Sequence, residues 1–283
     1  MRATSAALTK EIVRWIFERD PHKGREPIHL GFELDGDLVA SLGFDAGQRR
    51  SCFVYSGVPF EFVPFGWQGG DALQYGHLVH APELGQIDYP VGSFSPSDDT
   101  GVWWLGDDTR AGIQNLLSAN LRVAQEDPDW GGTVDDFLGD EALVALCERF
   151  AFQLVPTIDP DVTRGGRSDR RIAPLVPPGW LFKPTRNGVG VLAPEASFAS
   201  LPPLLAYDHQ GDLQPFLDRA RGYLQAAQPG SALCQLYEVH RAGAATAEYE
   251  ALILMQRSYE QLGRPLLAER VARRLARCPA LLK

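Results

Sequence analysis

Histidine and aspartate side chains between residues 71 and 99 form the part of the sequence best suited to catalytic chemistry. The set comprises Asp71, His77, His80, Asp98 and Asp99. Imidazole and carboxylate groups are the ligands that a catalytic divalent metal ion uses in proteins. One hypothesis is therefore a metal-assisted hydrolase that works through Asp71, His77 and Asp98.

The spacing of these residues argues against a single site. His77 and His80 are three positions apart, so on a strand their side chains point to opposite faces. Asp98 and Asp99 follow a Ser-Pro-Ser sequence, which is typical of a turn. The sequence also lacks the local motifs of a catalytic serine or cysteine, of a phosphate-binding loop and of a dinucleotide fold. It therefore favours a non-catalytic protein with no cofactor and no bound metal.

The acidic residues of the chain are concentrated in one region. Residues 51–150 contain 3 basic and 16 acidic residues, a net charge of −13, whereas the whole chain carries −9. A region of this charge disfavours binding to nucleic acid or to an anionic membrane and favours a basic protein partner. A well-solvated surface that only keeps the protein soluble is the alternative.

Tryptophans are also concentrated in this acidic region. Adjacent Trp103 and Trp104 on a strand point to opposite faces, so one of them is expected in the core. An exposed tryptophan surrounded by aspartates would make a hot spot for a basic partner. The predicted partner-binding residues are Trp67, Asp71, Asp98, Asp99, Trp103, Trp104, Asp107 and Asp108. Asp107 and Asp108 also suit the start of a helix.

The elements that position these residues follow from the spacing of apolar side chains. Leu8, Ile12, Trp15 and Ile16 recur at helical spacing and predict a first helix. Short apolar runs then predict a meandering antiparallel sheet. A hairpin of strands 28–34 and 38–44 is predicted around an Asp-Gly-Asp turn. Further strands are predicted at 51–56, 60–65, 74–80, 87–94 and 101–105.

Helices are predicted to follow this sheet. Two of them, beginning after Asp107 and at Thr133, would cover the sheet. The segment 151–205 is rich in proline and glycine and contains a predicted hairpin of 180–183 with 189–192. Four more helices are predicted from residue 212 onward. The prediction is an α+β fold with a domain at 1–150, a connecting segment at 151–205 and a helical region at 206–283.

The composition predicts a soluble protein of the cytoplasm. Its four cysteines are far apart in the sequence, which suits free thiols in a reducing compartment. The sequence contains no run of roughly 20 apolar residues that could span a membrane. Near the N-terminus, Lys10, Glu11 and Arg14 interrupt the apolar positions, so no signal-peptide core is expected.

Residues 64–117 resemble a known family. A Gly-Gly-Asp turn at 69–71 precedes a strand, Ser95-Pro96 ends a later strand, and an apolar strand at 102–105 leads into a helix. This arrangement resembles the SUKH superfamily, which includes bacterial toxin-immunity proteins and a fungal cell-wall assembly regulator. The resemblance implies an α+β fold, no catalytic residues and recognition of partner proteins, which for immunity members are often basic nuclease toxins. The Pro-x-(Asp)-Tyr/Phe helix that usually precedes the glycine turn is missing.

A second resemblance lies near the C-terminus. Leu252, Tyr259, Gly263, Ala268 and Ala272 fall at the spacing of a tetratricopeptide repeat. The sequence contains no second copy one period upstream. The resemblance implies a helical hairpin that binds a peptide, which makes a peptide-binding adaptor a third hypothesis. An ordinary helical hairpin is the alternative.

Overall fold

The computed structural model of the chain describes twelve stretches of the sequence. They are residues 5–19, 33–34, 36–43, 58–68, 73–85, 89–95, 101–126, 141–154, 175–185, 187–200, 212–242 and 245–276. Within them, an antiparallel sheet is followed by C-terminal helices, which confirms the predicted α+β fold.

The chain forms two compact units, and the second is discontinuous in sequence. The first unit consists of Met1–Tyr55, Val63–Leu78 and Ile87–Ile172, and the second of Ser56–Phe62, Val79–Gln86 and Ala173–Lys283. Two short pieces of the N-terminal half thus belong to the unit that contains the C-terminal helices. The sequence predicted three segments from composition: 1–150, 151–205 and 206–283. Their status as separate folding domains stays a prediction.

The first unit contains a meander of five strands and four helices in its described part. The elements are α1 (Ser5–Arg19), β1 (Glu33–Leu34), α2 (Gly36–Ser41), β2 (Phe62–Gln68, of which Phe62 belongs to the second unit), β3 (Leu73–Leu78), β4 (Val91–Phe94), β5 (Val102–Gly106), α3 (Thr109–Glu126) and α4 (Glu141–Phe150). The strands lie in the order β1-β2-β3-β4-β5, which is their order in the chain. β3 pairs antiparallel with β4, and β4 with β5. This order is what short connections between antiparallel strands produce.

The core of the first unit forms where the helices cover this sheet. On α1, Ile12, Val13 and Ile16 are buried, at the spacing that places apolar side chains on one helical face. Burying an aliphatic side chain of this size contributes roughly 1.5–3 kcal/mol, so this stripe decides which face turns inward. The other main contributors are Phe17, Phe65, Tyr75, Val91, Leu105, Ile113, Leu116, Leu117, Leu121, Leu143, Leu146 and Phe150.

Two glycines let α3 approach the sheet closely. A Cβ atom on Gly112 would lie 2.4 Å from the Cβ of Val91 on β4. A Cβ atom on Gly106 would lie 2.4 Å from the backbone nitrogen of Gly112. Both distances are shorter than real carbon contacts, so only glycine fits at these positions. Asn115 then fixes the helix to β5 by donating from Nδ2 to the carbonyl oxygen of Leu105 at 2.8 Å.

One predicted hairpin is wrong. The sequence predicted strands at 28–34 and 38–44. In the described residues of these two ranges, Glu33–Leu34 is a strand, but Gly36–Ser41 is a short helix. Val39 is fully buried in the core of the first unit, and Leu38 packs beside it. A short apolar run fits either a strand or one helical turn, and the packing of Val39 decided between them.

The other predicted elements of the first unit agree with the structure within a few residues. The predicted strands 60–65, 74–80, 87–94 and 101–105 correspond to β2, β3, β4 and β5. The predicted first helix is α1, and the helix predicted after Asp107 is α3. α4 covers the end of the helix predicted from Thr133, whereas 127–140 lies outside the described residues. The predicted strand 51–56 lies outside them too.

In its described part, the second unit contains a hairpin and four α-helices. The elements are β6 (Trp180–Lys183), β7 (Val191–Pro194), α5 (Gln214–Gln225), α6 (Pro229–Ala242), α7 (Ala245–Gln261) and α8 (Pro265–Ala276). β6 and β7 pair antiparallel, as the sequence predicted. α5 packs on α6, α6 on α7, and α7 on α8, so consecutive helices are neighbours in space.

The turn between α7 and α8 has a defined helix-ending geometry. Gly263 has φ of +70°, its N–H donates to the carbonyl of Glu260 at 3.1 Å, and the Arg264 N–H donates to that of Tyr259 at 2.8 Å. These two bonds form a Schellman motif, which glycine favours because it adopts positive φ without strain. Pro265 then begins α8, a position that suits proline because the first N–H groups of a helix have no intrahelical partner.

No helix in the described part of the chain combines the length and the apolar character needed to cross a membrane.

Candidate functional site

Three of the eight predicted partner-binding residues lie outside the described residues: Asp71, Asp98 and Asp99. Trp67 lies on β2 and is half-buried, and its Nε1 finds no hydrogen-bond partner among the described residues. Trp103 and Trp104 lie on β5, and Asp107 and Asp108 connect β5 to α3. The last four residues are therefore close in the structure.

The end of β5 carries an aromatic side chain beside an exposed carboxylate. Trp104 is half-buried, packs against the core of the first unit, and donates from Nε1 to Oδ1 of Asp107 at 3.0 Å. Trp103 is half-buried as well, while Asp107 is exposed. The core on one side and a carboxylate on the other thus fix the orientation of the Trp104 indole.

Asp108 has a structural role that the sequence also indicated. Its Oδ1 accepts a hydrogen bond from the backbone N–H of Ala111 at 2.7 Å. The carbonyl of Asp108 accepts the first helical bond, from Gly112 at 2.9 Å. Asp108 is thus the N-cap of α3, and its negative charge favours the positive end of the helix dipole.

His77 is placed in the core rather than in an open site. It lies on β3, is 6% exposed, and pairs through Nε2 with Oγ1 of Thr9 on α1 at 2.9 Å. Its ring packs at 5.3 Å from that of Phe65. Burial lowers the pKa of His77 to about 4. At neutral pH the imidazole is therefore neutral, and solvent barely reaches it.

His80 and His77 belong to different units. β3 ends at Leu78, and His80 belongs to the second unit, where its Nε2 lies 2.7 Å from the carbonyl oxygen of Val189. Its ring also contacts that of Phe182 edge-on at 5.7 Å. Among the described residues, no three histidine, cysteine or acidic side chains are grouped so that they could hold a metal ion.

A cavity of about 390 Å³ lies in the first unit at the C-terminal end of α4. Its lining is mainly apolar and includes Leu143, Val144 and Phe152. The free thiol of Cys147 also lines it, and burial raises the pKa of this thiol. A thiol with a raised pKa is a poor nucleophile because the reactive form is the thiolate. Cys147 is therefore poorly suited to act as a nucleophile in this cavity.

Sequence reasoning missed a buried polar cluster in the second unit. Glu61 is 1% exposed, and its Oε1 accepts a hydrogen bond from the hydroxyl of Tyr259 on α7 at 2.8 Å. The hydroxyl of Tyr237 on α6 lies 2.8 Å from that of Tyr259. Since Tyr259 gives its one hydroxyl proton to Glu61, Tyr237 must donate the proton of the bond between the two tyrosines. The three side chains thus form a directed hydrogen-bond chain.

Arg264 completes this cluster. It is fully buried, although it lies in the turn between α7 and α8. Its Nε donates to Oε1 of Glu83 at 2.8 Å, and its Nη2 donates to the carbonyl oxygen of Leu192 on β7. A guanidinium group suits this role because its planar fork can meet two acceptors in different directions. Glu61 and Tyr259, which meet in this cluster, are 198 positions apart in the sequence, and we call the group the Glu61 cluster.

Burial dominates the electrostatics of the Glu61 cluster. Desolvation raises the pKa of Glu61, and the opposing effects of Tyr237, Tyr259 and Arg264 are smaller. The pKa values of both tyrosines are raised well above their usual value, again mainly by burial. Only Glu83 is partly accessible, with a quarter of its side chain exposed. The cluster can hold or release a proton but offers no surface on which a substrate could bind.

The sequence contains one signal for this cluster. Glu61 stands between Phe60 and Phe62, so an ionisable side chain interrupts an apolar run. A carboxyl group at such a position needs a polar partner if it is buried. The identity of that partner, Tyr259, could not be predicted from the spacing of residues along the chain.

No family model matches the chain, and no curated protein matches it. The resemblances to the SUKH superfamily and to a tetratricopeptide repeat therefore remain predictions.

Proposed function

We propose that this chain is a non-catalytic protein-binding module whose first unit recognises a basic partner protein. The observation that carries the proposal is the net charge of −13 over residues 51–150, of whose 16 acidic residues all but Glu61 and Glu83 belong to the first unit. In the described part of this region, Asp107, Glu126, Glu141 and Glu148 are all exposed. Complementary charge of this kind speeds the encounter with a partner and selects against partners of the wrong sign.

The corner formed by Trp104 and Asp107 supports the same proposal. Tryptophan is enriched among the residues that dominate binding energy at protein interfaces. Here the half-buried indole of Trp104 lies beside the exposed carboxylate of Asp107 and is held by a hydrogen bond to it. A basic partner with an apolar contact surface would suit this corner.

The resemblance to the SUKH superfamily gives this proposal a finer form. An immunity protein that occupies a basic toxin would need an acidic surface and would need no catalytic residues. The Trp104–Asp107 corner lies inside the segment 64–117 that carries the resemblance. A basic nuclease toxin is therefore the partner class that we propose.

The described residues give the metal-assisted hydrolase less support. His77 is buried, its Nε2 pairs with Thr9, and its neighbour Phe65 packs against the ring. A metal ligand or a general base must reach the reacting group, which this position does not allow. The adaptor hypothesis rests on the tetratricopeptide resemblance alone, because the burial of Tyr259 and Ala268 fits an ordinary helical hairpin as well as a repeat unit.

The experiment is capture of partners from a host lysate at low and at high salt, with the whole chain as bait. Deleting 206–283 would not be a clean test, since it removes the partners of Glu61. Three baits are compared: the unchanged chain, a Trp104→Phe, Asp107→Asn double variant that keeps an aromatic ring against the core, and Glu195→Gln as a control that removes an exposed charge from the second unit.

We expect a basic protein to be retained at low salt, to be released at high salt, and to bind the double variant at least about tenfold more weakly. The control should bind as the unchanged chain does. If no basic protein is retained at either salt, or if the control loses binding as strongly as the double variant, recognition through this acidic corner is refuted.

A further inference from the structure

Two short segments that belong to the second unit, 58–62 and 79–85, are held there by polar contacts. Segment 58–62 leads directly into β2, and segment 79–85 follows β3. The N–H of Val79 donates to the backbone carbonyl of Glu61 at 2.8 Å, which joins the two segments. Nη2 of Arg270 on α8 donates to the backbone carbonyl of Phe62 at 2.9 Å. These contacts leave the Glu61 carboxyl enclosed.

The carboxyl group of Glu61 is only half satisfied when it is ionised. Its Oε1 accepts from Tyr259, but its Oε2 is buried and has no hydrogen-bond partner among the described residues. The ring of Phe60 also packs edge-on against that of Tyr259, with 6.5 Å between their centroids. A buried charge costs free energy unless hydrogen bonds or an opposite charge compensate it, and an incompletely compensated carboxylate tends to take up a proton.

The charged groups around Glu61 do not compensate this charge fully. Arg264 already forms an ion pair with Glu83 at 2.8 Å. From α6, Tyr237 and Cys234 interact with Glu61, and both have raised pKa values because they are buried, so both are neutral. Arg264 is therefore the main positive charge acting on Glu61, and it does so without direct contact in the described structure.

We propose that the Glu61 carboxyl is a pH-dependent clasp, which in its protonated form holds segments 58–62 and 79–85 against the C-terminal helices. Protonation places the proton on the carboxyl group, taken from water, while Oε1 continues to accept from Tyr259. Release of the proton to water as pH rises leaves a poorly compensated buried charge and loosens both segments. No other reactant is needed.

The direction of the pH dependence follows from linkage. Burial raises the pKa of Glu61 in the folded chain above its ordinary value of 4.5. The folded second unit therefore binds this proton more tightly than the unfolded chain does. Its stabilising effect is complete below pH 4.5 and is lost as pH rises through the raised pKa. In that window, opening of the two segments should become up to about tenfold more frequent for each pH unit.

The test compares the full-length chain with its Glu61→Gln variant by hydrogen–deuterium exchange between pH 4.5 and 8.5, corrected for the intrinsic exchange rate. In peptides covering 58–62 and 79–85, exchange gives an opening equilibrium constant for each protein. We expect the constant of the unchanged chain, divided by that of Glu61→Gln, to rise with pH. Glu195→Gln, an exposed position of the same unit, should follow the unchanged chain. A ratio that stays constant over the whole range overturns the proposal.

Tyr259→Phe keeps the proposal testable if the glutamine variant does not fold. This change removes the hydrogen bond that stabilises the ionised carboxylate, so it should raise the pKa of Glu61 further. The pH at which 58–62 loses protection should then move upward relative to the unchanged chain. An unchanged or lower pH for this loss refutes the clasp.

Discussion

Replacing His77 by glutamine should remove the part of the first unit's acid sensitivity that comes from the titration of this imidazole. His77 is buried on β3 and paired with Thr9, and burial lowers its pKa to about 4 from an ordinary value of 6.5. Below pH 6.5 the unfolded chain binds a proton at this histidine, whereas the folded chain does not until about pH 4. The stabilisation by His77 is therefore complete above pH 6.5 and is lost as pH falls to about 4.

The size of this loss follows from the two pKa values. One pKa unit corresponds to about 1.4 kcal/mol, so the unchanged chain should lose about 3 kcal/mol of first-unit stability between pH 6.5 and 4 relative to the variant. Comparing the two proteins at each pH cancels the contributions of other titrating groups whose pKa values the substitution leaves unchanged.

The assay is urea unfolding followed by tryptophan fluorescence. Five of the six tryptophans belong to the first unit, and Trp180 is the one in the second, so the signal reports mainly on the unit that contains His77. Thr9→Val serves as a control, because it removes the hydrogen bond to the ring but keeps the titrating group. Parallel stability curves for the unchanged chain and His77→Gln between pH 7 and 4 would show that the reasoning is wrong.

Three further substitutions test the packing. Asp108→Ala should cost about 1 kcal/mol of first-unit stability, because α3 loses its cap at Ala111; urea unfolding measures this, and Asp108→Asn should restore most of it. Gly112→Ala should lower the melting temperature, since the added carbon would clash with Val91, and an unchanged value would contradict the close approach of α3 to the sheet. Arg264→Lys should destabilise the second unit by about 2–3 kcal/mol in urea unfolding, because one ammonium group cannot reach both acceptors of the guanidinium; a change below about 0.5 kcal/mol would contradict this.

The sequence predicted most helices and strands because their signals are local. The helical spacing of Ile113, Leu116 and Leu117 is present in a few turns of chain, and these side chains are buried as that spacing requires. Asp108 was recognisable as a helix-start residue for the same reason. The pairing of Trp104 with Asp107 also joins positions that are only three apart.

What the sequence did not predict depends on contacts between distant residues. The turn of helix at Gly36–Ser41 replaced a predicted strand because Val39 packs into the core, and a short apolar run alone does not distinguish the two. Glu61 meets Tyr259 across 198 positions, and Arg264 is fully buried although it lies in the turn between α7 and α8. Spacing along the chain carries no information about which distant partner a buried polar group will find.

Buried ionisable groups should give the two units opposite responses to pH. His77 makes the first unit less stable as pH falls below 6.5, whereas Glu61 makes the second unit less stable as pH rises above 4.5. Calorimetry of the full chain should therefore show the first-unit transition moving to lower temperature in acid, and the second-unit transition doing so toward alkaline pH. His77→Gln should flatten only the first trend, and Glu61→Gln only the second. If either substitution flattens both trends, the two groups do not act separately within their own units, and the stability of one unit must then depend on the protonation state of the other.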